Sequence, residues 1–348
     1  MAGDGQVLLA DRRGPAVVLT FNRPAKLNAI SSAVLAQLDR RLGEAEADPG
    51  VRAVVLTGAG PKAFVAGADI AEYADQDHAA FVAYQAESRR QFSRLDAFPK
   101  PVVGAVNGYA LGGGFELCLC CDLLVASTNA RFGLPEGLLG LSPGGGGTQR
   151  LTRAAGPFVA ADVLLAGRRL SAEDAARLGL VAEVVEPGRL LDAALDRAGQ
   201  VARVAPLATR AMLDLIRTAM EAPLADGLER EQEALAGLHR TDDAAEGIRA
   251  FLEKRAPRFT GRGADSSPSE EVAEDGSGRG QGRGGDRRGV GDRPGHRRGP
   301  GRRGGPGRDR RPRRGRRPGG RGRHPRRRRG CLLPPHRRPI PCRPRGRP

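Results

Sequence analysis

The sequence predicts an α/β domain, a strand-rich core followed by a helical C-terminal region, with a disordered basic tail behind it. Three observations carry that expectation. Over the first 130 residues short β-branched runs alternate with helical periodicities, the pattern of strands joined by crossover helices. From Gly156 the pattern becomes helical with little strand signal, and beyond Thr260 it gives way to Gly, Arg and Pro.

Taken in order, Val17 to Phe21, Ala53 to Thr57, Val102 to Val106 and Asp122 to Ala126 read as buried strands, because each is a short apolar run bounded by turn residues. Between the first two, Val34, Leu35, Leu38 and Leu42 recur at helical spacing behind Ser31 or Ser32 as N-cap. A second helix carries Phe81, Tyr84, Ser88, Phe92 and Leu95 on one face; Pro99 and Pro101 then stop it and launch the next strand. Ser171 followed by Asp174 forms a capping pattern, and Pro206 suits the first turn of a helix running to about Met220. Two further helices are expected over Pro223 to Leu238 and Asp242 to Lys254.

The charge is unevenly placed. Residues 261–348 hold 28 Arg, no Lys and 8 Asp plus Glu, so the chain's net +17 resides entirely in that segment and the first 260 residues are slightly acidic. A segment of this composition cannot bury enough apolar surface to offset its ordering entropy, so it is expected to be disordered and the domain to end near residue 260. Nucleic acid or another polyanion could be held through the tail alone, by phosphate contacts without aromatic stacking. Arg, Gly and Pro without Lys is equally what a GC-rich gene gives in a wrong frame, and a frameshift product is the favoured reading. Five cysteines lack the spacing of a disulfide framework or zinc site, so reduced thiols and no metal are expected. Cys118, Cys120 and Cys121 read as small packing residues. No secretory leader or membrane-spanning run is seen, which predicts a cytoplasmic protein.

The strongest local signal is Asn107-Gly108-Tyr109-Ala110-Leu111-Gly112-Gly113-Gly114-Phe115-Glu116, directly after a buried strand. Three glycines let the backbone turn sharply and approach a ligand, and a helix starting there offers unpaired amides to a developing oxyanion. Glu116 then places a carboxylate one turn into an otherwise apolar helix. Two further segments are Phe64-Val65-Ala66-Gly67-Ala68-Asp69-Ile70, in a loop after a strand, and Phe132-Gly133-Leu134-Pro135-Glu136, a second carboxylate in apolar company. A glycine-rich stretch, Pro143 to Gly147, precedes Thr148-Gln149-Arg150. Singly, each could be a turn, a surface acid or a flexible loop.

In this order and spacing, together with Asn22-Arg23-Pro24 and Leu27-Asn28-Ala29, these segments resemble the crotonase (enoyl-CoA hydratase/isomerase) family over roughly the first three quarters of the chain. The resemblance implies a spiral of ββα units to about residue 195, then helices over 196–260 that mediate a trimer or dimer of trimers. It implies an enoyl-CoA hydratase, with enoyl-CoA isomerase as the alternative. Glu116 and Glu136 match the family's catalytic acids, and Ala68 and Gly113 its oxyanion-hole amides. Lys26, Leu27, Ala66, Asp69, Ile70 and Gly112 match positions around coenzyme A, which is part of the substrate, so no separate cofactor is expected. Ser142 and the fourth glycine of Gly144–Gly147 depart from the family's habit and touch the acyl pocket. A rival dinucleotide-binding reading rests on Gly58-Ala59-Gly60-Pro61-Lys62-Ala63 after a strand, and it is weakened by the glycines that follow where a long helix should run.

Overall fold

The computed structural model describes residues 6–72 and 74–262; the expected disordered tail lies outside the described residues. The chain begins with a hairpin, β1 (Leu8–Arg13) and β2 (Ala16–Phe21), and α1 (Ser32–Ala47) leads to β3 (Ala53–Gly58) and β4 (Ala63–Ala66). Then come α2 (His78–Asp96), β5 (Val102–Val106), β6 (Tyr109–Leu111), α3 (Gly113–Leu119), β7 (Leu123–Ser127) and β8 (Arg131–Gly133). Next are α4 (Gly147–Ala155), α5 (Pro157–Leu164), β9 (Leu170–Ser171), α6 (Ala172–Arg177), β10 (Glu183–Val185) and α7 (Leu190–Val201). The described chain closes with α8 (Pro206–Thr218), α9 (Leu224–Leu238) and α10 (Asp242–Leu252).

Successive strand–strand–helix turns distribute their two strands between two sheets. The larger sheet runs β1-β2-β3-β5-β7-β10 and the smaller β4-β6-β8-β9, so the pairs β3/β4, β5/β6 and β7/β8 each give their first strand to the larger sheet and their second to the smaller, while the β1–β2 hairpin stays in the larger. This is the spiral of ββα units. From β2 onward every pairing in the large sheet is parallel, and its central strands are buried on both faces, which is why they read as unbroken apolar runs. On one face Val54, Leu56, Val102 and Val106 pack with Leu35, Leu38, Phe64 and Phe115. On the other, Val18, Val55, Val103 and Val125 meet Leu190, Ala194 and Ala198 of α7.

The four anticipated strands are present, each within a residue or so of its expected ends. Ser31 caps α1 through the Val34 amide at 3.3 Å, and Ser171 with Asp174 forms a reciprocal capping box on α6. The short strands β4, β6 and β8 were not anticipated, because three or four residues carry too little alternation to register as a period. The little strand expected after Gly156 consists of β9 and β10, two and three residues long, which extend the small and the large sheet respectively. The boundary expected near residue 195 falls inside α7, which packs on the large sheet. Of the last three helices, α8 and α10 stop two residues short of their expected ends and α9 starts one residue late, as fraying termini do. After Gly58 the chain enters β4 instead of a helix, and a Cβ at Gly58 would lie 2.3 Å from the Ala63 carbonyl oxygen. That glycine serves strand packing, which removes the dinucleotide-binding reading. Among the described residues no helix is long and apolar enough to cross a membrane.

Candidate active site

The small sheet sets the site's frame. β4, β6 and β8 run parallel with Ala66 opposite Leu111 and Leu111 opposite Gly133, so the three strands end level with one another. The segments leaving those ends are Gly67–Ala68, Gly112–Gly113 and Leu134–Glu136. Carboxyl ends of parallel strands are where such sheets commonly hold ligands. Here they border a cavity of about 180 Å³ whose wall includes Ala66, Ala68, Ile70, Gly112, Gly113, Glu116 and Glu136.

Two backbone amides are available at that edge. Ile30 and Ala68 form an isolated parallel bridge in which the Ile30 N–H donates to the Gly67 carbonyl at 2.9 Å and the Asp69 N–H to the Ile30 carbonyl at 2.7 Å. A parallel bridge uses the groups flanking its central residue, so the Ala68 N–H itself points away from Ile30. Gly113 is the first residue of α3, so its N–H has no acceptor within the helix and lies at the helix's positive end. Gly112, just before it, has φ +54, and a Cβ there would come within 3.1 Å of Glu136 Oε1. Glycine thus permits both the left-handed turn and the carboxylate's approach.

Glu116 projects from α3 and is buried to 4 % exposure. Its Oε1 accepts from the Gly145 amide at 2.8 Å and the Gly147 amide at 2.7 Å. Arg150 donates from Nη1 to the Gly145 carbonyl at 2.5 Å and from Nη2 to Asp96 at 3.0 Å, which pins the Gly145 peptide in the orientation that Glu116 needs. Burial raises the Glu116 pKa above the ordinary carboxylate range, and the Gly147 and Gly145 amides and the Arg150 charge oppose that rise. Glu136, in the 3-10 turn Pro135–Leu139, is half-buried and differently treated. Its Oε2 is buried with no hydrogen-bond partner among the described residues. Burial, reinforced by the Glu116 charge, pushes its pKa up to about 7. The two acids therefore sit in one cavity with unlike environments, one gripped as an anion and the other favoured neutral near pH 7.

Lys26, Leu27 and Asp69 do not line the cavity. Asp69 is buried behind the loop, where Arg23 Nη2 at 2.7 Å and Lys26 Nζ at 3.0 Å donate to its Oδ2. Burial would raise its pKa, but the hydrogen bonds from Arg23 and Lys26 outweigh it and hold the carboxyl below its usual range. Asn28 accepts from the Arg23 amide at 2.9 Å and donates to the Ala63 carbonyl at 2.8 Å, tying the Arg23–Ala29 turn to β4. Leu27 is on the surface at 38 % exposure.

Sequence reasoning missed the grip of Gly145 and Gly147 on Glu116, because consecutive glycines read as a flexible loop. The only signal was their adjacency to Thr148-Gln149-Arg150. Of the stripe it placed on one face of the second helix, Tyr84, Ser88 and Phe92 line the cavity together with Gln85, a role that the periodicity alone does not disclose. Cys118, Cys120 and Cys121 lie on or just after α3, and burial pushes the Cys120 thiol up to about 12 and the other two well above the usual thiol range. Such thiols are inert packing groups.

Residues 12–262 match the family described as enoyl-CoA hydratase/isomerase. The chain is 44 % identical over 256 residues to the 2,3-dehydroadipyl-CoA hydratase of Escherichia coli, covering 73 % of this chain and 99 % of that protein. It is 41 % identical over 248 residues to the short-chain-enoyl-CoA hydratase of Clostridium acetobutylicum, covering 71 % and 95 %. In structure it is similar to an enoyl-CoA hydratase from Bacillus anthracis, with a TM-score of 0.72 at 38 % identity over 74 % of this chain and 100 % of that one. A Mycobacterium smegmatis enoyl-CoA hydratase aligns with a TM-score of 0.69 at 34 % identity, over 73 % and 99 %. The level strand ends, paired acids and free amides thus stand on a fold and sequence shared with these hydratases, and the chain belongs to the enoyl-CoA hydratase/isomerase family.

Proposed function

We propose that the protein is an enoyl-CoA hydratase, adding water reversibly across the double bond of a trans-2-enoyl-CoA to give the 3-hydroxyacyl-CoA. The observation that carries this reading is the unlike pair of acids in one cavity. The Ala68 and Gly113 amides bind the thioester oxygen, where negative charge develops as the β-carbon is attacked. The Glu116 carboxylate holds a water and takes its proton as the oxygen bonds to the β-carbon. Neutral Glu136 gives its proton to the α-carbon as the enolate collapses. The pair ends with its proton exchanged between the two acids, and the substrate has gained one water with no net oxidation. Coenzyme A enters as part of the substrate past Ala66, Ile70 and Gly112, with Lys26 and Leu27 beside the entrance, while Asp69 acts from behind the loop by holding Arg23 and Lys26, and no resident cofactor or metal is invoked.

Similarity to the short-chain-enoyl-CoA hydratase and dehydroadipyl-CoA hydratase relatives supports this reaction class. The grip of two amides on Glu116 favours hydration over isomerisation, since a one-acid isomerase has no need of a second ionised carboxylate. The test is loss of the conjugated chromophore of crotonyl-CoA. Glu116→Gln and Glu136→Gln should each lower turnover by at least about 10²-fold with KM little changed. Activity that survives Glu116→Gln but not Glu136→Gln would replace the hydratase with an isomerase.

A trimer or dimer of trimers is part of the same proposal. α9 has no buried residue, yet Leu224, Leu228 and Leu235 expose 78, 52 and 60 % of their surface, and Phe251 of α10 exposes 83 %. Helices with bare apolar faces need a partner. Light scattering of the purified protein should give three or six chains. A cytoplasmic setting is supported by the free thiols of Cys118, Cys120 and Cys121.

A further inference from the structure

Beyond the two acids the wall of the cavity is largely apolar, with Ile30, Ile70, Leu139 and Leu141, but α2 adds polar side chains to it. Gln85, Ser88 and Phe92 fall at i, i+3 and i+7 on α2 and line the cavity together. Phe92 marks the reacting end. Its Cζ is 3.8 Å from where a Cβ of Gly113 would stand, and its Cδ1 is 3.2 Å from that of Gly145, itself 2.9 Å from Glu116 Oε2. Moving away from Phe92 along α2, the rise of about 1.5 Å per residue puts Ser88 about 6 Å and Gln85 about 10 Å further out. Both are polar, and among the described residues neither side chain has a hydrogen-bond partner. The opposite side is closed by the glycine loop, where a Cβ on Gly144 would lie 2.6 Å from Gln85 Oε1. Gly144, the first of the four consecutive glycines, therefore makes room for the Gln85 amide.

We infer that Gln85 and Ser88, admitted by Gly144, end the acyl pocket in a hydrogen-bonding wall that selects short 2-enoyl chains whose far end carries an acceptor oxygen, as a carboxylate or a neutral carbonyl, over plain alkyl chains. This deepens the hydratase reading and rests on it. Gln85 Nε2 and the Ser88 hydroxyl donate to that oxygen. An alkyl end placed there would strip water from both groups and return no bond. A long alkyl chain would also have to pass the Gly144–Gln85 contact.

The test compares kcat/KM for three six-carbon thioesters, 2-hexenoyl-CoA, 2-hexenedioyl-CoA and its 6-methyl ester, with crotonyl-CoA as the reference. The expected result is that the diacid and the ester both exceed 2-hexenoyl-CoA by about tenfold or more, the worth of one such hydrogen bond. In Gln85→Leu the ratio of either oxygen-ended substrate to 2-hexenoyl-CoA should fall by about tenfold. Gly144→Ala, which drives a methyl against Gln85 Oε1 from the facing loop, should lower that ratio with the sequence of α2 unaltered. A wild-type preference for 2-hexenoyl-CoA, a preference for the diacid not shared by the ester, or ratios unchanged in both variants would overturn the inference. Failure of crotonyl-CoA to react at all would instead defeat the hydratase reading, so the two failures are distinct.

Discussion

The sharpest consequence of the paired acids concerns pH. The reacting enzyme must carry one proton between Glu116 and Glu136, so both the doubly ionised and the doubly protonated pairs are inactive, and the profile belongs to the pair. Burial places the Glu136 group at about 7, far above an ordinary carboxylate. With the catalytic proton held there, kcat/KM for crotonyl-CoA should level off below neutrality and fall tenfold per pH unit above about 7, which makes it about 10²-fold lower at pH 9 than on the plateau. A second, acidic limb should appear where Glu116 protonates. Hydration consumes no net proton, so its equilibrium constant is independent of pH, and dehydration of 3-hydroxybutyryl-CoA must show the same limbs. The assay is initial-rate spectrophotometry in both directions from pH 5 to 9.5 at constant ionic strength, with folding checked at each end. A hydration profile that stays flat to pH 9, or rises through 7, would refute the assignment of Glu136 as the neutral donor.

Four further outcomes follow from the same geometry. Because the Glu116 charge helps raise Glu136, Glu116→Gln should lower the pH at which Glu136 titrates, read by NMR of carboxyl-labelled protein; an unchanged titration would mean that the two do not interact. Gly145→Ala sets a methyl 2.9 Å from Glu116 Oε2 and 3.2 Å from Phe92, so turnover should drop at least about tenfold while the fold survives; normal turnover would show that the glycine loop does not position the acid. Gly114→Ala aims its Cβ 1.8 Å from the Val65 carbonyl oxygen, a backbone atom, and should cost at least about 3 kcal/mol in denaturant titration. Glu136 also links stability to pH: its folded pKa is raised, so its contribution is intact below the ordinary 4.5 and lost as pH rises through about 7. Glu136→Gln should therefore gain on wild type between pH 4 and pH 8 by about 1–3 kcal/mol, the cost of its unpartnered buried oxygen.

Much of the large sheet was legible because strands buried on both faces leave continuous apolar runs, as Ala53 to Thr57 and Val102 to Val106 do. The small sheet was not. Its strands owe their existence to register with neighbours, and Tyr109–Leu111 alone carries no signal that Ala63–Ala66 will lie beside it. The acids Glu116 and Glu136 were conspicuous as charges in apolar company, and resemblance placed them together. What could not be read is how each is solvated. The grip on Glu116 comes from amides 29 and 31 residues away, and backbone donors carry no residue identity in a sequence. Likewise the Gly144–Gln85 contact joins residues nearly 60 positions apart, neither notable by itself.

The level ends of β4, β6 and β8 have a bearing on how such a protein can change. Ala68 and Gly113 are placed by strand register, and a one-residue slip would move a donor by about 3.3 Å and turn its side chain to the other face. Glu136 and the Gly145 and Gly147 amides lie on segments beyond the strands, which can be rebuilt without disturbing that register. The part of the site that polarises a thioester is therefore hard to alter by small steps, whereas the part that decides where protons go is easy to alter. Lineages starting from this scaffold would be expected to keep the acyl-thioester activation and diversify the chemistry performed on it, and a designer seeking a new reaction should leave the strand ends alone and vary residues 134–147.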